Sequence, residues 1–275
     1  MHPAIVRLGP VVVSSYGFFL GLSFILGLWL ASARARRMGL DRKQVIDAAF
    51  WIVLAAMAGA RIYYVVQHYV DFSSQPLSAF FPAERGLNCL GGLSMYGGII
   101  GGILAEAVFF AVKKIPILPY ADAFAPSVGL GIFLTRIGCF LNGCCFGLPT
   151  SSWLGVHFPL GSPAGNYELA VNAPRLLPSQ LFLSLSGLVV LAGALLVKGS
   201  KAPPGTSFCI MGILASVLSF ALDFTRFYPV AERLGPLTHT QATTLVLFLI
   251  FLGLLMTMLF RARKAGAAQV PAVKD

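Results

Sequence analysis

The stretch TQATTLVLFLIFLGLLMTMLF, Thr240–Phe260, carries no charged side chain, and Arg261, Arg263 and Lys264 follow it at once. A bilayer core about 30 Å thick is crossed by roughly 20 mainly apolar residues in helical form, so this stretch reads as a transmembrane helix with a cationic end. Working back along the chain, six more stretches have the same character: Val11–Ala33, Ala48–Tyr69, Gly91–Val112, Tyr120–Leu141, Ser179–Val197 and Ser207–Thr225. The whole chain agrees, with 57% hydrophobic and 11% charged residues. A soluble domain needs about 25% charged residues to cover its water-facing surface. The sequence therefore predicts an all-α, polytopic membrane protein with about seven transmembrane helices, and residues 1–275 as a single transmembrane domain. Pro126 inside the fourth span is no obstacle, because neighbouring helices re-satisfy freed backbone groups.

Lysine and arginine set the orientation, since they gather on the cytoplasmic side. Arg34, Arg36, Arg37, Arg42, Lys43, Lys113, Lys114, Lys198, Lys201, Arg261, Arg263, Lys264 and Lys274 fall on one side of the predicted spans. Arg7, Arg85, Arg175 and Arg233 fall on the other. The N-terminus is expected outside and the tail, about 261–275, in the cytoplasm. The net charge of +10 is then a topology signal, and no nucleic-acid partner is expected. A cleaved signal peptide would place its charge before the apolar run, whereas here the arginine cluster follows it. The outer connections, about 70–90 and 142–178, are longer than the inner ones and rich in Gly, Pro, Ser and aromatics. Loops carry function disproportionately, so the working surface is expected there.

Ionisable residues inside spans are costly, by about 2.5–3.5 kcal/mol at a helix centre. Glu106 reads as a pairing group and Asp122 as an interfacial cap. Arg136 and Arg226 stand near the outer ends of different spans. A guanidinium is a planar fork of donors suited to phosphate, and phosphate is what the lipid headgroup layer offers. Two glycine-rich stretches sharpen this: Gly91–Gly102 opens the third predicted span and Thr135–Gly147 closes the fourth. Small residues let membrane helices approach closely. Packing alone does not account for Tyr96, Arg136 and Asn142 set among those glycines.

These stretches resemble the prolipoprotein diacylglyceryl transferase family. The family's Gly-Arg-Leu/Ile-Gly-Asn-Phe-Ile-Asn-Gly signature is similar to Thr135–Gly143, with its arginine at Arg136, its last asparagine at Asn142 and the motif-closing glycine at Gly147. A Gly-Gly-hydrophobic-Ser-Phe-His-Gly-Gly element resembles Gly91–Gly98, ending in Gly97 and Gly98. Tyr16 and Gly17, Gly59–Arg61, Pro178–Gln180, Phe224–Arg226 and Gln241 match further family elements in the same order. The chain departs from the pattern at Tyr96, where the family has histidine, at Cys139 in place of asparagine, at Phe227 in place of glutamate, and at Leu177.

The resemblance implies transfer of the diacylglyceryl group of phosphatidylglycerol to the lipobox cysteine of a preprolipoprotein signal peptide. A thioether forms and glycerol 1-phosphate leaves, in the bacterial cytoplasmic (inner) membrane, with the surrounding membrane lipids as partners and no cofactor. Arg136 and Arg226 are expected to hold the phosphate, with Tyr96 at the acid/base or orienting position. Tyr16, Arg61, Asn142, Gly97, Gly98, Gly147 and Gln180 are expected to bind substrate. Thiolate is the nucleophile and a free cysteine has a pKa of about 8.5, so a proton must leave. A tyrosine of pKa about 10 is a poor base at neutral pH, which assigns Tyr96 an orienting role.

Cys139, Cys144 and Cys145 cluster, while Cys89 and Cys209 stand apart. The cluster lacks a paired Cys-x-x-Cys set, so no metal is expected. Neutral packing is the first reading, and a disulfide from Cys89 to the cluster the second. His157 reads as an exposed loop residue. Two alternatives remain: a divergent paralogue that lipidates another acceptor, and a transporter or channel whose buried charges line a path. The absence of an internal repeat counts against the latter.

Overall fold

The computed structural model describes residues 4–8, 11–72, 94–197, 202–228, 233–234 and 236–267. Strands β1 (Ala4–Leu8) and β2 (Val11–Ser14) precede α1 (Ser15–Arg37). Then come α2 (Arg42–Gln67), the single turn α3 (Tyr69–Phe72), α4 (Met95–Lys113), α5 (Ile117–Asn142), α6 (Pro163–Ala170), α7 (Ser179–Leu196) and α8 (Thr206–Asp223). The short hairpin β3 (Arg233–Leu234) and β4 (Leu237–Thr238) leads into α9 (His239–Ala267). Six of these helices are long and apolar enough to cross a membrane: α1, α2, α5, α7, α8 and α9. The 19 residues of α4 cover the remaining predicted span. The chain is an all-α, polytopic membrane protein.

The predicted boundaries shift where capping side chains decide them. Val11–Ser14 is strand rather than helix, because Ser14 caps α1 by accepting from the Gly17 N–H at 3.1 Å. Asp41 accepts from the Lys43 N–H at 2.8 Å and starts α2 well before Ala48. Such a cap satisfies an N–H that the helix itself leaves without a partner. The predicted outer segment 70–90 lies largely outside the described residues, as do Cys89 and the last part of the tail. The side chain of Tyr96 is also outside them.

The chain divides into two compact units, one of Met1–Val6, Val13–Met38 and Leu118–Asp275, the other of Arg7–Val12 and Gly39–Ile117. In the first unit α5 is a central element. Its Gly129 faces Leu191 and Gly187 of α7 backbone to backbone, with the Leu191 Cα 2.7 Å from where a Cβ would stand. Ser184 of α7 donates to the Phe133 carbonyl at 2.9 Å, and Ser127 donates to the Gly27 carbonyl of α1 at 2.7 Å. These small residues and hydroxyls replace the hydrophobic driving force that lipid cannot supply between helices. Ala125, Val190, Ala194 and Met211 form a buried cluster joining α5, α7 and α8.

Asp122 ties the α5–α8 contact at the end predicted to be cytoplasmic. Its carboxylate accepts from the Gly205 and Phe208 N–H groups, 2.7 and 2.8 Å away, capping α8 from a different helix. Arg34 closes the same end through 3.1 Å bonds to the Ala194 carbonyl and the Ser207 hydroxyl. In the second unit α2 and α4 meet through glycine. A Cβ on Gly59 would stand 2.5 Å from the Gly97 carbonyl oxygen and 3.1 Å from the Gly101 Cα.

Candidate functional site

The end of α5 is shaped by two left-handed residues. Gly143 takes φ +72°, natural for glycine, while its carbonyl accepts from the Ala164 N–H at 2.9 Å and seats α6. Cys145 takes φ +57°, a conformation side chains disfavour and one that clusters at functional sites. The turn between them brings the Cys144 and Cys145 sulfurs to Cys139 on α5, all three within 4.8 Å of one another. All are free thiols. The Cys144 thiol donates to the Cys139 carbonyl at 3.7 Å, and Asn142, the last residue of α5, stands two residues before it.

Gly147 marks a crossing of three segments. Its N–H donates to the Leu177 carbonyl at 2.9 Å, and the Leu148 N–H donates to the Thr225 carbonyl at 3.0 Å. Gly147 also forms an antiparallel bridge with Arg226. A Cβ here would collide with the Ser179 hydroxyl and stand 2.6 Å from the Thr225 carbonyl oxygen, so only glycine fits. Ser179 is fully buried and donates to the same Thr225 carbonyl at 2.8 Å. Gln180, equally buried, donates through Nε2 to the Cys144 carbonyl at 2.8 Å. The Phe146 ring stacks on Phe227, and Tyr167 lies tilted against both. The result is that Arg226, from beyond α8, is held beside the end of α5.

Arg136 and Arg226 converge electrostatically, since both guanidiniums act on the Cys145 thiol. Hydrogen bonds from Cys139 and Cys144, and then those two guanidiniums, hold Cys145 below the ordinary thiol range. Arg136 also acts on Tyr16, in the first turn of α1. That turn packs on Gly138, where a Cβ would stand 3.2 Å from the Tyr16 Cα. The Arg226 guanidinium lies 4.7 Å from the centre of the Tyr228 ring. The Tyr228 hydroxyl donates to Asp223 Oδ1 at 2.5 Å, and the Thr238 hydroxyl donates to Oδ2. Burial, and then the Asp223 bond, push Tyr228 up to about 12, so its hydroxyl remains a donor at neutral pH. Asp223 is thus engaged by hydroxyls. Among the described residues the Glu168 carboxylate meets His157 at 2.5 Å, and neither Arg136 nor Arg226 has a carboxylate partner there. Two cations without a carboxylate partner at one site are suited to an anion.

A profile of the prolipoprotein diacylglyceryl transferase family matches residues 3–257 of this chain. The chain belongs to that family. The phosphatidylglycerol–prolipoprotein diacylglyceryl transferase of Nitratidesulfovibrio vulgaris is 30% identical over 281 residues, covering 100% of this chain and 98% of the relative. The enzyme of the same name from Thermosynechococcus vestitus is 31% identical over 88% of this chain and 87% of its own length. That of Rhodopirellula baltica is 37% identical over 62% of this chain and 33% of the relative.

The first unit of this transferase-family chain therefore brings together Tyr16, Arg136, Asn142, Gly147, Gln180 and Arg226 around the Thr135–Gly147 motif. Gly147 and Gln180 hold the crossing in place. Arg61, Tyr96, Gly97 and Gly98 belong to the second unit. There the Arg61 guanidinium lies 5.8 Å from the Tyr64 ring centre and 5.7 Å from that of Phe72. Gly97 is a packing position, since a Cβ on it would collide with the Gly59 carbonyl and Tyr63. Gln241 caps α9: it accepts from the Thr238 N–H and returns its own N–H to the Thr238 hydroxyl, both at 3.0 Å. Of the residues that position Arg226, Ser179 and Thr225 lie inside the matched elements Pro178–Gln180 and Phe224–Arg226 but were not named as site residues, and Tyr228 lies outside the motifs. For Ser179 the signal available was its place inside the Pro178–Gln180 element.

Proposed function

We propose that this chain transfers the diacylglyceryl group of phosphatidylglycerol to the thiol of a lipobox cysteine in a preprolipoprotein. Its family supports the reaction. The observation that carries the site is the pair Arg136 and Arg226, brought together from distant segments and without a carboxylate partner among the described residues. In this reading the two forks grip the phosphate and offset the charge that develops as glycerol 1-phosphate departs. The acceptor thiolate attacks the glycerol carbon, the carbon–oxygen bond to phosphate breaks, and a thioether results. Asn142 adds a neutral donor, Tyr16 lines the lipid-facing side, and Tyr96 orients phosphate or thiol. Arg61, Gly97 and Gly98 are proposed to bind substrate on the strength of the family elements they match. The site faces outward from the bacterial cytoplasmic membrane, with the N-terminus outside and the tail in the cytoplasm.

The test uses the purified full-length chain in vesicles containing phosphatidylglycerol and a synthetic peptide bearing a lipobox cysteine. The expected result is a diacylglyceryl mass gain on the peptide cysteine with release of glycerol 1-phosphate. An unmodified peptide, with lipid or solute moved instead, overturns the reading.

A further inference from the structure

We infer that Cys139, Cys144 and Cys145 form a binding site for one thiophilic divalent cation such as zinc. Their sulfurs lie within 4.8 Å of one another and all three are free. With zinc–sulfur bonds of about 2.3 Å, tetrahedral ligands sit nearly 4 Å apart, so small side-chain rotations close the set. Three protein ligands with a fourth position open is the arrangement of a zinc ion able to take a water or another ligand. This departs from the sequence expectation of no metal, which followed from the lack of a paired Cys-x-x-Cys set. The left-handed turn at Cys145 supplies the missing ligand by folding the chain back onto α5.

The surroundings suit the charge. Three thiolates and a divalent cation together carry one net negative charge. Arg136 and Arg226 both act on Cys145 and exceed that charge by one positive unit. The unit left over matches a singly charged phosphodiester, a point that rests on the proposed reaction, whereas the metal site does not. The ligands are also oriented from outside the set, as metal ligands usually are. The Cys144 thiol donates to the Cys139 carbonyl at 3.7 Å, and Gln180 fixes the Cys144 carbonyl while its Oε1 is buried without a partner among the described residues. That amide oxygen is an acceptor for a metal-bound water.

The experiment is a titration of the reduced full-length chain in detergent with Co²⁺ as a spectroscopic probe, followed by competition with Zn²⁺. One ion per chain, a thiolate-to-metal charge-transfer band, and displacement by Zn²⁺ are expected. C139S, C144S and C145S lose the band, whereas C209S, on α8 and outside the cluster, retains it. Should those variants fold poorly, the unaltered chain still reports, since saturating Zn²⁺ should shield the three thiols from alkylation. Absence of the band, alkylation unaffected by Zn²⁺, or an equal loss in C209S overturns the inference. Each readout is independent of lipid transfer, so the metal site and the proposed reaction fail separately.

Discussion

Arg136 and Arg226 gain their meaning from what lies beside them rather than from being arginine in a membrane. Asp223 could have paired with Arg226 but is engaged by Tyr228 and Thr238. If both forks grip phosphate, Arg136→Ala should lower kcat/KM by about 10²–10³-fold, the usual cost of removing one donor to a developing oxyanion. Arg136→Lys keeps the charge but not the planar fork, so it should recover only part of that loss. Initial rates with labelled lipid check both, and unchanged turnover in the alanine variant sinks the phosphate role. Tyr96→Phe should slow transfer without abolishing it, as expected of an orienting hydroxyl. A dead phenylalanine variant would instead make that hydroxyl essential. Arg136, Asn142 and Gly147 were legible because their motif is contiguous. The contact between Ser179 and Thr225 was not, since its partners are 46 residues apart. Gln241 was read as the residue opening the last span, and it does stand in the first turn of α9. Thr238 and Gln241 form a capping box, a pattern visible in the sequence that the family match to Gln241 obscured.

At the level of elements, apolar length located the spans well, and their ends depended on caps that apolar counting ignores. Helix pairing was only partly legible. Glycine and serine inside apolar runs announce close approach, but not which helix approaches. Gly129 shows what the approach demands: a side chain there meets the Leu191 backbone and, at 2.9 Å, the Gly187 carbonyl oxygen. Backbone cannot rotate aside as a side chain can. Gly129→Val should therefore destabilise the chain by about 1–3 kcal/mol, the usual cost of overpacking. Gly131, two residues on, has open space around its Cα, so Gly131→Ala should leave stability unchanged. Thermal unfolding in detergent distinguishes them. Equal midpoints for the two variants would mean that α5 and α7 do not meet through Gly129.

For the whole molecule, composition and charge placement carried the membrane assignment, and the orientation rests on the basic residues alone. The two ends of the first unit differ in what their charges do. At one end, Arg34 and Asp122 are consumed in closing α1, α5, α7 and α8 against one another. At the other, Arg136 and Arg226 remain without carboxylates among the described residues, beside an ordered segment between α5 and α7 that contains α6. A reaction on a secreted precursor needs the second end outside. Trp153 in that segment is 84% exposed, which makes it a suitable reporter. Trp153→Cys should react with a membrane-impermeant maleimide in intact cells, with the unaltered chain measuring the background from its own thiols. Lys264→Cys, past the last span, should react only after the cells are opened. The reverse pattern would put both arginines on the cytoplasmic face, away from the exported precursor. It would also mean that the basic residues between the spans do not govern insertion of this chain.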